Sequence, residues 1–116
     1  MTTLLLDVTN KRLINTLRSI KNNELILSSF SYPKLYPFPQ FVIVDFTITI
    51  KSNDNETTLT EIIKHIVPHP YVVACMSNWK QEQIHLAKIF GINRIVQYNN
   101  EDDLMNLSEL IIKRNN

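Results

Sequence analysis

Short apolar runs and stripes of apolar residues at helical spacing alternate along the chain. Runs that are apolar on both faces predict strands covered on both sides, as in parallel sheets. The predicted strands are residues 3–8, 25–30, 41–46, 71–76 and 92–98. The third is the richest in β-branched and aromatic residues and is expected at the centre of the sheet. Its pattern continues to Ile50, which leaves open either one long strand or a strand that ends near Asp45 and an extended loop.

Polar capping residues mark the predicted helices between these strands. Asn10 begins a first helix that ends near Asn22 and carries an apolar face, formed by Leu13, Ile14, Leu17 and Ile20. Thr58 with Glu61 has capping-box spacing for a helix that Pro68 closes. The last two helices are residues 79–90 and a segment capped by Asn100. The first of these is capped by Ser77 or Asn78 and has Gly91 at its C-terminal end, whereas the second carries acids in its first turn and bases in its last.

Strands alternating with helices predict an α/β fold with a mostly parallel sheet and helices on both faces. For five strands we expect a flavodoxin-like doubly wound sheet of order 2-1-3-4-5. Residues 31–40 contain three prolines, so the second helix is expected to be reduced or missing. Fully extended, this segment spans about 33 Å, which suffices to cross from the second strand to the third.

Length and composition narrow the class of protein. The 116 residues fit a single domain, 1–116, with 44% hydrophobic and 20% charged residues and a net charge of +1. These values exclude disorder and a strongly basic nucleic-acid binder. No apolar run approaches the roughly 20 residues of a membrane span. A lone cysteine, Cys75, and no signal-peptide pattern at the start predict a cytoplasmic protein.

The most distinctive candidate chemistry is a pair of carboxylates, Asp7 and Asp45, at the ends of the first and third strands. In such sheets ligands gather beyond the carboxyl ends of strands where the strand order reverses, and here that point lies between these two strands. Two carboxylates there suit Mg²⁺, and the Ser77 hydroxyl at the end of the fourth strand suits an anionic group on Asp45. In the alternative interpretation, Asp7 begins a turn, Asp45 interrupts a strand and Ser77 caps a helix.

Other features predict less. His65 and His69 have i, i+4 spacing, but Pro68 breaks the helix between them and no third zinc ligand is apparent. Cys75 lies in an apolar strand, as an inert thiol would. Because Gly91 is the only glycine, a glycine-rich phosphate loop is excluded.

These positions together resemble the receiver domain of bacterial response regulators, over nearly the whole chain. Residues 4–7 resemble the acidic end of the family's first strand, and residues 42–45 resemble the strand bearing its phosphoacceptor. Residues 72–77 resemble the strand with its switch hydroxyl, and residues 91–96 the segment leading into the fifth strand. The resemblance implies Asp45 at the phosphoacceptor position, Ser77 as the switch hydroxyl, and Asp7 with Asp45 as Mg²⁺ ligands.

Several departures from the family pattern favour a pseudo-receiver. The family has a lysine followed by proline after the fifth strand, where this chain has Tyr98 and Asn99. A phenol carries no positive charge that would neutralise a phosphoryl group. The paired acids of the first strand are reduced to Asp7, and the methionine and proline that usually follow the phosphoacceptor are absent after Asp45.

The sequence therefore predicts a stand-alone pseudo-receiver that regulates by binding a protein partner, independently of phosphorylation. No enzymatic activity, cofactor, nucleic acid or membrane is expected. A homodimer is possible through the helix before the fifth strand, that strand and the last helix, where His85, Lys88 and Tyr98 lie. One alternative is a genuine phosphoacceptor using Asp45 with Mg²⁺, and a second is a small α/β nucleotide-binding protein or enzyme.

Overall fold

The structure, a computed structural model, describes residues 1–6, 8–28, 39–45, 64, 69–77 and 81–115. These residues contain five strands and three helices, which alternate except where β3 and β4 follow β2. In chain order they are β1 (Thr2–Leu6), α1 (Lys11–Arg18), β2 (Glu24–Ser28), β3 (Phe41–Asp45), β4 (Tyr71–Cys75), α2 (Gln81–Ile89), β5 (Arg94–Val96) and α3 (Glu101–Asn115).

The five strands form one parallel sheet in the order β2-β1-β3-β4-β5. This arrangement confirms the predicted flavodoxin-like α/β fold and its strand order. Every residue of β1 and β3 is buried. Their apolar character on both faces follows from this central position, since both faces are covered.

The core consists of two apolar layers, one on each face of the sheet. One layer joins α1 and α3 to the sheet through Leu13, Leu17, Leu107 and Ile111, which pack with Leu5 and Ile43. The other includes Ala87 of α2 with Leu4, Leu6, Val42, Val44, Val72, Ala74 and Met76. Burying a leucine or isoleucine side chain contributes about 1.5–3 kcal/mol. The two layers therefore hold the helices against the two faces of the sheet.

The predicted helix caps at Asn10, Asn100 and Gly91 are confirmed. The Asn10 side chain accepts a hydrogen bond from the backbone N–H of Leu13 over 3.0 Å, and Asn100 accepts one from Asp103 over 2.9 Å. Gly91 has a φ of 75° and follows α2 in a Schellman motif. In this motif the N–H of Gly91 donates to the carbonyl of Lys88 over 3.2 Å, and the N–H of Ile92 donates to the carbonyl of Ala87 over 3.0 Å.

Several predicted boundaries are wrong. The strand predicted over residues 92–98 is only Arg94–Val96, because the N–H of Ile92 closes the end of α2 instead of joining the sheet. The first helix ends at Arg18, four residues before Asn22, which has a φ of 60°. Strands β1 and β2 each begin one residue earlier than predicted, at Thr2 and Glu24, and Val8 lies outside β1. The predicted end of the second strand, over 29–30, lies outside the described residues.

Other predictions lie outside the described residues. They are Asp7, the continuation of the third strand over 46–50, the first residues of the helix predicted over 79–90, and His65. The proline-containing segment up to residue 38, with the reduced second helix, and nearly all of the helix predicted between Thr58 and Pro68 also lie there. In the part of the chain that the structure describes, no helix has the length and apolar character needed to cross a membrane.

Candidate functional site at the carboxyl edge of the sheet

The ends of three neighbouring strands bring Asp45 next to Cys75. In the sheet register Asp45 pairs with Cys75, and Cys75 pairs with Val96. Asp45 is the last residue of β3 and is only 4% exposed. A carboxylate this deeply buried requires hydrogen-bonding partners, because desolvation penalises its charge.

Tyr98 supplies one of these partners. Its phenol hydroxyl donates a hydrogen bond to Oδ2 of Asp45 over 3.0 Å. The Tyr98 ring packs against the apolar layer that includes Ile43 and Cys75. The residue at the position where the resemblance implies a lysine therefore binds the carboxylate directly, as a neutral donor instead of a cation.

The backbone on both sides of Tyr98 is fixed by hydrogen bonds. Two residues before it, the carbonyl of Val96 accepts from the N–H of Met76 over 3.2 Å. Directly after it, the Asn99 side-chain amide donates to the carbonyl of Ser77 over 2.8 Å. The N–H of Asn99 also donates to Oδ2 of Asp103 over 2.9 Å. These bonds tie the segment after β5 to the segment after β4 and to the first turn of α3, and so position the phenol.

Cys75 lies beneath the site and is fully buried. Burial raises the pKa of its thiol well above the ordinary range, and the negative charge of neighbouring Asp45 raises it further. Only a thiolate acts as a nucleophile or a metal ligand. The environment thus keeps Cys75 protonated, in agreement with its predicted inert role.

The other predicted site residues are dispersed. Ser77 is half-buried and lies two residues beyond β4, on the same edge of the sheet as Asp45. His69 is exposed and precedes β4 at the opposite edge. His85 and Lys88 are exposed on α2. The structure brings Asp45 and Tyr98 into contact and places Ser77 at the same edge.

The described residues do not by themselves form a magnesium site. Of the two predicted ligands, Asp45 belongs to the described part and one of its oxygens accepts the Tyr98 hydrogen bond. Among the described residues no three His, Cys, Asp or Glu side chains gather where they could hold a metal ion.

Sequence reasoning missed Asn99 as a structural part of this site. In the sequence, Asn99 is distinctive only because it stands where the receiver family has proline. Its spacing to Asp103, four residues on, is a usable signal, since an acid at that distance can accept from a backbone N–H ahead of a helix. The contact of Tyr98 with Asp45 carries no such signal, because it joins the ends of strands that are far apart in sequence.

The fold is shared with solved receiver structures. A response regulator receiver protein from Pseudoalteromonas atlantica matches 99% of this chain and 98% of its own, with a TM-score of 0.72 and 10% identity. A CheY-like receiver domain protein from Methanospirillum hungatei matches 97% of this chain and 91% of its own, with a TM-score of 0.71 and 14% identity. The Mn(2+)-bound form of response regulator Rcp1 matches 94% and 90%, with a TM-score of 0.64 and 20% identity.

These similarities confirm a receiver-like fold, as the sequence resemblance suggested. They cover nearly the whole chain. No protein-family model matches the chain, and no curated protein is significantly similar to it. At such low identities the similarity concerns the fold, and the function has to be argued from the site.

Proposed function

We propose that this protein is a pseudo-receiver that acts in cytoplasmic signalling or regulation by binding a protein partner, independently of phosphorylation and without catalysis of its own. The hydrogen bond from Tyr98 to Asp45 carries this proposal. A phosphoryl group on Asp45 would have to occupy the space around the carboxylate oxygens, one of which Tyr98 holds. The phenol also brings no cation to balance the added charge.

The burial of the carboxylate supports the same conclusion. Asp45 is 4% exposed, and Tyr98 is held in place through Asn99, Ser77 and Asp103. Opening the site to a phosphodonor would require breaking the hydrogen bond to a buried charge, at a cost of about 1–3 kcal/mol. The site is accordingly suited to keeping Asp45 and Tyr98, at the carboxyl ends of the strands, in one conformation.

The surface proposed for the partner, or for a second copy of the chain, is formed by α2, β5 and α3. On α2, His85 and Ile89 are one helical turn apart and share a face. Ile89 is 63% exposed, and His85 and Lys88 are exposed beside it. An exposed large apolar side chain flanked by basic or titratable ones suits a protein contact of mixed character.

Phosphodonor chemistry tests the first part of the proposal. The full chain is treated with acetyl phosphate or beryllofluoride in the presence of Mg²⁺, and its intact mass and amide NMR spectrum are recorded. We expect the wild-type protein to be unmodified and its spectrum unchanged. A modification of the wild-type protein that Asp45→Asn abolishes would contradict the proposal. Tyr98→Lys, which restores a cation, is the matched variant in which modification is expected to increase.

Light scattering tests the surface. If copies of the chain associate through this face, Ile89→Glu is expected to shift the molar mass towards that of the monomer. Leu27→Glu is the control, because Leu27 is also exposed, at 49%, but lies on β2 at the opposite edge of the sheet. A dimer that Ile89→Glu leaves intact would contradict the proposed face, and a wild-type monomer would assign the face to a different protein.

A genuine phosphoacceptor is the second candidate function. It is favoured by the position of Asp45 at the end of β3 and of Ser77 two residues beyond the adjacent β4. In that case Ser77 would contact the phosphoryl group, and Mg²⁺ would be held by Asp45 with Asp7. The phosphodonor experiment separates the two candidates, since only this one requires modification of Asp45 in the wild-type protein.

A further inference from the structure

A cavity lies at the amino-terminal edge of the sheet, opposite the edge that carries Asp45. Its volume is about 360 Å³, within the range of about 300–1,000 Å³ that is typical of small-molecule pockets. Phe41 begins β3 there and lies about 13 Å from the Asp45 end of the same strand, at 3.3 Å per residue. The lining includes Gln40, Phe41, His69, Tyr71, Asn93 and Arg114.

Two amide side chains in this lining have their oxygens engaged by the backbone. Oε1 of Gln40 accepts a hydrogen bond from the N–H of Thr2 over 2.6 Å. Oδ1 of Asn93 accepts one from the N–H of Val72 over 2.8 Å. A carboxamide whose oxygen is fixed in this way presents its NH₂ group as the donor end. Gln40 and Asn93, which both line the cavity, can thus act as hydrogen-bond donors through their NH₂ groups.

Arg114 contributes a positioned cation. Its guanidinium carbon lies 4.0 Å from the centre of the Tyr71 ring, and Tyr71 is itself held edge-on by Phe41, with ring centres 6.2 Å apart. A guanidinium that stacks on a ring uses its flat face, so its N–H groups remain free to point outward in the plane. These N–H groups match the two oxygens of a carboxylate or phosphate.

The described lining is therefore rich in donors, and no Asp or Glu is among its described residues. We propose that this cavity binds a small organic anion through a carboxylate or phosphate group, held by Arg114 and the amide groups of Asn93 and Gln40. The half-buried ring of Tyr71 lies beside the anion and offers an apolar surface for the rest of the molecule.

Titration of the ¹⁵N-labelled full chain with inorganic phosphate and, separately, with benzoate tests this proposal. We expect saturable shifts of the Gln40 and Asn93 amide signals with at least one probe. Arg114→Gln and Asn93→Asp are each expected to weaken the affinity at least fivefold. Asn93→Asp keeps an oxygen for the N–H of Val72 but puts a negative oxygen in place of the NH₂ donor. It therefore makes the cavity repel an anion without removing the structural bond.

Lys11→Gln is the matched control, because it removes one positive charge from an exposed position on α1. Binding by Lys11→Gln and Asp45→Asn is expected to equal that of the wild type. Binding of phosphate alone or benzoate alone identifies the anion class that the cavity takes. The proposal is overturned if neither probe saturates, or if Arg114→Gln weakens the affinity less than fivefold.

Discussion

The hydroxyl of Tyr98 and the carboxylate of Asp45 are joined by a 3.0 Å hydrogen bond, although 53 residues separate them in sequence. This bond links the end of the central strand β3 to the segment that leads from the edge strand β5 into α3. A change at the Asp45 carboxylate therefore directly alters a contact of Tyr98, in the segment between β5 and α3. Under the proposed function, this bond holds the end of β3 and the segment between β5 and α3 in a fixed arrangement.

Tyr98→Phe tests the strength of this bond. The variant keeps the ring in the apolar layer but removes the donor from a carboxylate that is 4% exposed. We expect the free energy of unfolding to fall by about 1–3 kcal/mol, as measured by urea denaturation. Tyr71→Phe is the control, because it keeps the ring that contacts Phe41 and Arg114, and its effect is expected to stay below about 0.5 kcal/mol. Equal effects of the two variants would show that the hydroxyl of Tyr98 has no special role.

Asn99→Ala tests how the segment around Tyr98 is held. The variant loses the side-chain bond to the carbonyl of Ser77 but keeps the backbone bond to Asp103. We expect a loss of about 0.5–1.5 kcal/mol in stability and faster hydrogen exchange of the backbone amide at position 99. Asn106→Ala, on an exposed position of α3, is the control; because alanine favours a helix over asparagine, it should neither lower the stability nor speed the exchange at position 99. Unchanged exchange at position 99 in Asn99→Ala would mean that the side-chain bond does not restrain this segment.

The buried thiol predicts a loss of stability at alkaline pH. Since the pKa of Cys75 is raised in the folded protein, first by burial and then by Asp45, the unfolded chain releases the thiol proton first, above about pH 8.5. The Cys75 thiol therefore makes its full contribution to the free energy of unfolding below about pH 8.5. This contribution falls as the pH rises further, by up to about 1.4 kcal/mol per pH unit.

Urea denaturation of the wild type and of Cys75→Ala between pH 7 and pH 10 measures this effect. Cys75→Ala is expected to be less stable at pH 7 because it leaves a cavity, but to lose less stability over the alkaline range. Parallel curves for the two proteins would show that the thiol titrates alike in the folded and unfolded states. Other groups titrate in both proteins and cancel in the comparison.

A pair of α3 residues tests the assignment of the core. Leu107 is 1% exposed, whereas Met105 is 59% exposed on the same helix. We expect Leu107→Ala to lower the free energy of unfolding by about 2–5 kcal/mol. Met105→Ala should change it by less than about 0.5 kcal/mol. Thermal or urea unfolding followed by circular dichroism provides both values, and a reversed order would contradict the packing of α3 on the sheet.

The sequence pattern was sufficient for features that depend on local chemistry. The caps at Asn10 and Asn100, the left-handed Gly91 and the fully apolar β3 each follow from a short stretch of chain. The sheet order could be predicted because five strands that alternate with helices favour a small number of arrangements, and the structure confirms it. The beginning of β5 was not predictable, because Ile92 is apolar enough for a strand while its N–H closes α2.

The sequence draws attention to two residues of the candidate site, but it does not predict their contact. Asp45 and Tyr98 were both singled out, Asp45 by its place at the end of a strand and Tyr98 by the lysine it replaces. Their hydrogen bond depends on the register of three strands and on the turn after Val96. Periodicity contains no information on that register. The cavity near Arg114 was missed for the same reason, since its residues come from four separate segments.

The single sulfhydryl of this chain, that of Cys75, is fully buried at the carboxyl end of β4, where a thiol reagent does not reach it in the folded protein. A cysteine introduced at an exposed position, such as Lys88 or Asn106, would then be the one group that a maleimide dye or a nitroxide spin label modifies in the folded protein. The native thiol need not be removed, so fluorescence and paramagnetic distance measurements can be made with only one substitution for each label.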